Sequence, residues 1–112
     1  MSLRTRFETQ HTIINALGAG NATIASAVPG QQVSIYKVII ENTGAAATNV
    51  TFQDSAGAPI SATYTMGVNG FIILDVPINN EPWFVTGSGL GARLNSSAAG
   101  PVQADIYWLQ TV

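Results

Sequence analysis

The sequence predicts an all-β protein, a single jelly-roll-like β-sandwich of about eight short antiparallel strands preceded by an N-terminal arm. Apolar residues recur at every second position in short runs, which is the period of half-buried strands. Segments rich in Gly, Asn and Pro separate these runs at intervals of about 8 to 12 residues, as in sandwiches. No segment keeps a helical period for more than a turn, and 112 residues suit one domain with one core.

Strands are predicted near residues 21–28, 32–42, 48–54, 59–66, 70–77, 83–86, 90–95 and 102–111. The last, "VQADIYWLQ", alternates most clearly, because successive side chains of a strand point to opposite faces. Its predicted core side holds Val102, Ala104, Ile106 and Trp108, and its predicted solvent side holds Gln103, Asp105 and Tyr107. The longest, "QVSIYKVIIEN", is apolar at both odd and even positions, which indicates a central strand covered once by its own domain and once by a partner.

Residues 1–20 differ from the sandwich domain predicted for residues 21–112. They hold two of the four Lys and Arg residues, Arg4 and Arg6, together with the only histidine, His11, and they end in the hinge-like "GAG". Two interpretations stay open. The segment is either a loosely ordered terminus or an arm that reaches a neighbouring subunit or a larger assembly. The apolar anchors of such an arm would be Phe7, Ile13 and Ile14.

Composition favours a surface that packs against other chains. Charged residues are 9% of the sequence, against about 25% in ordinary soluble domains. Moving small neutral groups out of water costs little free energy, whereas moving an unpaired charge out of water costs much. A net charge of −2 and a pI near 5.0 predict neither a nucleic-acid nor a membrane partner. With no cysteine, no long apolar run and no secretion signal, the chain is expected to be soluble and free of disulfides.

Candidate catalytic and metal-binding groups are few, so we expect no enzyme, no metal site and no cofactor. A Ser-His-Asp relay through His11 would require the arm to fold over the sandwich. Asp54, Asp75 and Glu81 could converge in space, but acids at strand ends usually keep the surface soluble. The segment "GSGLG", residues 87–91, superficially matches a phosphate loop, yet it lacks the following Lys-Ser/Thr and precedes a predicted strand.

The segment "EPWFVTG", residues 81–87, is the best candidate for a recognition surface. Trp83 and Phe84 follow a proline and a polar loop, and an exposed tryptophan can stack on a sugar ring or fill a pocket of a partner. The alternative is that both aromatic side chains belong to the core, where such residues are common in sandwiches.

Four pieces in order resemble small β-sandwich proteins of tailed bacteriophages: "NVTFQDSAG", "VNGFIILDVP", "PWFVTGSGLGARLNSS" and "GPVQADIYW". The resemblance covers about residues 32–112. It implies a capsid decoration or cement protein, a homotrimer made in the host cytoplasm and seated on the outer surface of the virion head, where it contacts the major capsid protein. It brings no catalytic residues. Similar sandwiches occur in tail and fibre parts, so that position stays an alternative.

The expected shell contacts are Arg4, Arg6, Phe7 and His11, because three arms of a trimer would present six guanidinium groups to acidic shell residues. Three function classes remain open in this order: a structural protein of the virion, a carbohydrate-binding module and a small enzyme. The first predicts a stable trimer, the second an exposed Trp83, and the third titratable groups converging in a pocket.

Overall fold

A computed structural model describes residues 9–77, 80–98 and 101–112, which form nine strands. In chain order they are β1 (Gln10–Leu17), β2 (Gly20–Ala25), β3 (Gln32–Asn42), β4 (Thr48–Asp54), β5 (Pro59–Met66), β6 (Phe71–Asp75), β7 (Phe84–Val85), β8 (Ala92–Ser96) and β9 (Val102–Thr111). The described part of the chain contains no helix that is long and apolar enough to cross a membrane.

The strands build two antiparallel sheets that pack face to face. The first sheet has the order β1-β9-β3-β6, with the short β7 beside β6 on β3, and the second has the order β2-β8-β4-β5. The chain crosses from one sheet to the other between most consecutive strands, which is the winding of a jelly roll. The predicted all-β sandwich is therefore confirmed.

The core lies between the inner faces of the two sheets. Val50 and Phe52 of the second sheet face Ile40 and Ile106 of the first, and all four side chains are buried. The ring of Phe52 stacks on the ring of Phe84 with centroids 4.8 Å apart. The predicted core side of β9 is confirmed for Val102, Ala104 and Ile106, whereas Trp108 is half-buried and donates a hydrogen bond from Nε1 to Thr12 Oγ1 at 2.9 Å.

All eight predicted strands are present, with bounds shifted by no more than a few residues, but β1 was not predicted. Only Ile14 and Leu17 of β1 are buried, and a register irregularity separates them. Their spacing of three does not follow the strand period of two, so alternation was hidden in the sequence. Residues 10–17 therefore lie in the first sheet and are not a free arm, while residues 1–8 lie outside the described part.

The central position predicted for β3 is confirmed, but its apolar residues at both odd and even positions have a different main cause. The pairing of β3 with β9 shifts between Ile35 and Lys37, so one extra residue lies in β3 at this point. The shift moves the core side of β3 from one parity to the other. Val33 and Ile35 are buried before it, and Val38 and Ile40 are buried after it.

Candidate partner-binding face

The first sheet turns one face away from the core, and we call this surface the outer face. Strand pairing aligns its side chains in rows across the sheet. One row is His11, Tyr107, Lys37 and Asp75. The next row is Ile13, Asp105, Ile39 and Ile73, and the third is Gln103, Glu41 and Phe71.

The first row is an ordered set of polar contacts. His11 Nε2 lies 2.8 Å from Asp105 Oδ1, and the imidazole stacks on the Tyr107 ring with centroids 4.2 Å apart. Lys37 Nζ lies 5.6 Å from the centroid of the same ring and 4.0 Å from Asp75 Oδ2. Exposed ion pairs add little stability, so this row mainly fixes the orientation of its side chains.

The other two rows expose large apolar side chains. Ile13 is 60% exposed, Ile73 57% and Phe71 67%. Between the strands lies a groove of about 160 Å³ lined by Ile13, Ile39 and Glu41, among others. The Glu41 carboxylate makes no hydrogen bond or ion pair with any residue that the structure describes. This surface can contact an apolar partner and offers that partner an unpaired acid.

His11 is the one predicted shell-contact residue within the described part, and it lies on the outer face. Arg4, Arg6 and Phe7 belong to the undescribed segment 1–8. Of the described residues, Asp105 is the hydrogen-bond partner of the His11 imidazole. The pair joins β1 to β9 across 94 positions of sequence, so it could not be found without the unpredicted strand.

The predicted recognition pair Trp83 and Phe84 is divided between surface and core. Trp83 is 44% exposed, and its backbone N–H donates to the Ile35 carbonyl at 2.8 Å. Phe84 is 8% exposed and lies in the core, so it is not part of a recognition surface. The opposite orientations follow from the alternation of side chains along an extended chain next to β3.

The candidate carboxylates do not form a cluster in the described residues, where no group of three or more His, Cys, Asp or Glu side chains could hold a metal ion. Asp54 is buried, and its Oδ1 accepts hydrogen bonds from the backbone N–H groups of Ala56 and Ala58 at 2.9 and 3.0 Å. It therefore stabilises the turn between β4 and β5.

The last glycine of the segment "GSGLG" lets β8 begin close to the β4–β5 turn and to the end of β2. Gly91, immediately before β8, exchanges hydrogen bonds with Ser55: its carbonyl accepts from Ser55 N at 2.9 Å, and its N–H donates to Ser55 Oγ at 3.0 Å. A Cβ at this position would lie 2.7 Å from Ala27 N and even closer to the Ala25 carbonyl oxygen. Gly91 is thus required by a close approach of backbone.

We expect Gly91→Ala to lower the free energy of unfolding by about 1–3 kcal/mol, because the added methyl group meets backbone atoms that must shift. The matched control is Gly67→Ala, since a Cβ on Gly67 meets no atom within 4 Å. Urea titrations of both variants measure the difference. Equal unfolding midpoints for the two variants would show that the backbone between β2 and β8 can shift to accommodate the methyl group without a loss of stability.

Sequence reasoning identified Trp83 and the solvent side of β9 as candidate surface, but it missed the apolar rows of the outer face. No protein-family model matches the chain, and no curated protein is similar to it in sequence.

Proposed function

We propose that the protein is a non-enzymatic structural component of a phage virion, a decoration protein that binds the assembled head. The observation that carries this proposal is the outer face, where Ile13, Phe71 and Ile73 are exposed together on a chain of low charge. Exposed apolar patches of this kind usually become buried against another protein. The resemblance of the ordered sequence motifs to phage proteins is the reason for proposing the major capsid protein as that partner.

The energetic role follows from selective binding. A ligand that binds only the assembled shell stabilises it by RT ln(1 + [L]/Kd) for each bound copy, and the contributions of many copies add. The protein acts as a homotrimer on the virion surface and requires no cofactor, nucleic acid or membrane. His11 and the apolar rows make the shell contacts of the described part. Arg4, Arg6 and Phe7, which the sequence also predicted as shell contacts, lie in the N-terminal segment outside the described residues.

The test is co-sedimentation of the purified protein with heads, with separated tails and with unassembled capsid protein of the phage that encodes it. Binding to heads alone is expected. Binding to tails alone would favour the alternative role as a tail or fibre module, and binding to none of them would contradict both structural roles. The head-binding sample should also resist heat or chelator-induced rupture better than bare heads.

The Ile13→Asp variant tests the outer face as the shell contact. Burying an unpaired carboxylate against the shell costs several kcal/mol, so head binding is expected to weaken at least tenfold, which corresponds to about 1.4 kcal/mol. Val68→Asp is the matched control, because Val68 is exposed on the turn between β5 and β6. Equal weakening by both substitutions, or by neither, would exclude the outer face as the binding surface.

Trp83 supports a second candidate function, carbohydrate binding. An indole that is exposed beside a polar loop can stack on the apolar face of a sugar ring. In this case tryptophan fluorescence changes when a binding glycan is added, and Trp83→Ala abolishes the change while Trp83→Phe keeps part of it. If a panel of host cell-wall and capsular glycans leaves the fluorescence unaltered, this candidate is wrong.

A further inference from the structure

In the described part of the chain, the edges of the two sheets are formed by β1, β2, β5, β6 and the two-residue β7, which follows β6 along β3. Among the four longer edge strands, β6 differs from the other three. The pairings of β1 with β9, of β2 with β8 and of β5 with β4 each contain a register irregularity. Such bulges protect an edge, because they twist the strand away from a potential partner. β6 pairs with β3 in an unbroken register from Phe71 to Asp75, and its sequence "FIILD" contains neither Pro nor Lys.

The backbone groups of β6 that point to the free edge can be identified. Asn42 N donates to Gly70 O, and Val76 N donates to Tyr36 O. Hydrogen-bonded and non-bonded pairs alternate along an antiparallel ladder, so Ile72 and Leu74 bond to β3. Phe71, Ile73 and Asp75 therefore direct their N–H and C=O groups to the outside, where an added strand could bind them.

The segment of residues 2–8, "SLRTRFE", has the pattern of a strand that fits this edge. Leu3, Thr5 and Phe7 alternate with Arg4, Arg6 and Glu8, so one face is mostly apolar and the other is charged. If the segment paired with β6, its arginine side chains would lie near Asp75 and Glu41 on the outer face. The side chains of its apolar face would cover the half-buried Ile72 and Leu74. Five of the six Asp and Glu residues lie outside this segment, which agrees with attraction between the two parts.

A chain cannot place this segment on its own β6. β1 begins at Gln10 on the opposite edge of the first sheet, four strand positions from a strand added outside β6. At about 4.8 Å per position the distance is about 19 Å. Even if only residues 2–6 paired, the four Cα–Cα steps from residue 6 to Gln10 would span at most about 14 Å. A strand that this segment adds to β6 would therefore come from a second copy.

We infer that residues 2–8 of one copy add a strand to β6 of the next copy, with Arg4 and Arg6 facing Asp75 and Glu41. The contact joins two different surfaces, so it is head-to-tail and closes into a ring when the rotation between copies allows. A ring of three is the trimer on which the proposed function rests. In this arrangement the N-terminal segment binds its neighbour, and the outer face stays available for the shell.

The test uses the absence of cysteine from the sequence. In the full chain carrying Arg6→Cys and Ile73→Cys, a short neutral bifunctional thiol reagent should convert most of the protein to covalent dimers and closed trimers. Arg6→Cys with Thr63→Cys is the control, because Thr63 is exposed on β5, an edge of the second sheet, and this variant should stay monomeric in a denaturing gel. Monomers alone in the first variant, or equal cross-linking in both, would overturn the inference.

A charge exchange gives an independent measurement that does not depend on a reagent. Arg4→Glu with Arg6→Glu should lower the trimer fraction at least tenfold at low salt in light scattering, and adding Asp75→Arg with Glu41→Arg should restore it. A trimer that is insensitive to the first pair would contradict the inference.

The outcomes separate this inference from the proposed function. Head binding by a protein that shows no cross-link would leave the decoration role intact and exclude the arm exchange. A cross-linked trimer that binds no heads would support the arm exchange and contradict the decoration role.

Discussion

Ile106→Ala is expected to lower the free energy of unfolding by about 2–5 kcal/mol, which is a large part of the roughly 5–15 kcal/mol that holds a domain of this size folded. Ile106 lies in the middle of β9, is fully buried, and belongs to the core between the sheets. Its truncation removes apolar contacts and leaves a cavity that rigid neighbouring strands cannot fill. Denaturant titration followed by tryptophan fluorescence measures the loss.

Ile13→Ala is the matched control for this effect. The two isoleucines lie on neighbouring strands of the first sheet, and Ile13 is exposed on the outer face. The control should change the free energy of unfolding by no more than about 0.5 kcal/mol. A loss as large as that of Ile106→Ala would mean that the outer face is already buried in the free protein, for example by another copy.

The second large effect is expected at Asn42, the last residue of β3. Its side chain is fully buried and links the two sheets. Nδ2 donates towards the carbonyl oxygens of Ala46, Met66 and Gly67 at 2.9, 3.3 and 3.2 Å. Oδ1 accepts from Gly44 N at 3.0 Å. These bonds hold the β3–β4 turn against the end of β5.

Asn42→Asp should lower the free energy of unfolding at neutral pH by about 3–5 kcal/mol, because a buried carboxylate would face three carbonyl oxygens without a donor of its own. Burial raises the pKa of the introduced carboxyl above its unfolded value of about 3.9. The loss in free energy of unfolding relative to the unsubstituted protein is therefore complete above the pKa of the carboxyl in the folded state. It decreases as the pH falls through that pKa towards about 4. Unfolding titrations of both proteins at several pH values measure it.

Asn49→Asp is the control, since Asn49 is exposed on β4 and gains a charge of the same sign. Its effect should stay within about 0.5 kcal/mol at every pH. An Asn42→Asp deficit that is small, or that does not change with pH, would show that water reaches the buried carboxylate.

The proposed function and the arm exchange assign different parts of the first sheet to different partners. The rows centred on Ile13 and Ile39 lie on its outer face, whereas the free hydrogen-bonding groups of β6 lie at its edge. A decoration trimer needs both kinds of surface, one to bind its own copies and one to bind the shell. The variants at Ile13 and at Arg4 with Arg6 distinguish them.

Much of the fold was predictable because burial of one face of a strand requires apolar and polar residues to alternate along its sequence. The bounds of β3, β4, β5 and β9 agree with prediction, since alternation there is uninterrupted or flanked by clear turn residues. β1 escaped prediction because its register irregularity breaks the period. A bulge also accounts for most of the apolar residues at both parities of β3, because it reverses which side chains face the core, while the cover of this strand by a partner stays a prediction.

The sequence by itself determined the all-β class, the positions of eight strands and most of the core, because side chains in an extended chain alternate between two faces whatever the chain pairs with. Only the tertiary structure decided which strands are neighbours. It thereby placed His11 beside Asp105, left Trp83 exposed while burying Phe84, and made β6 an edge. Pairing joins residues that are far apart in sequence, and a one-residue shift in register exchanges the two faces, so local periodicity cannot specify the surface that a partner meets.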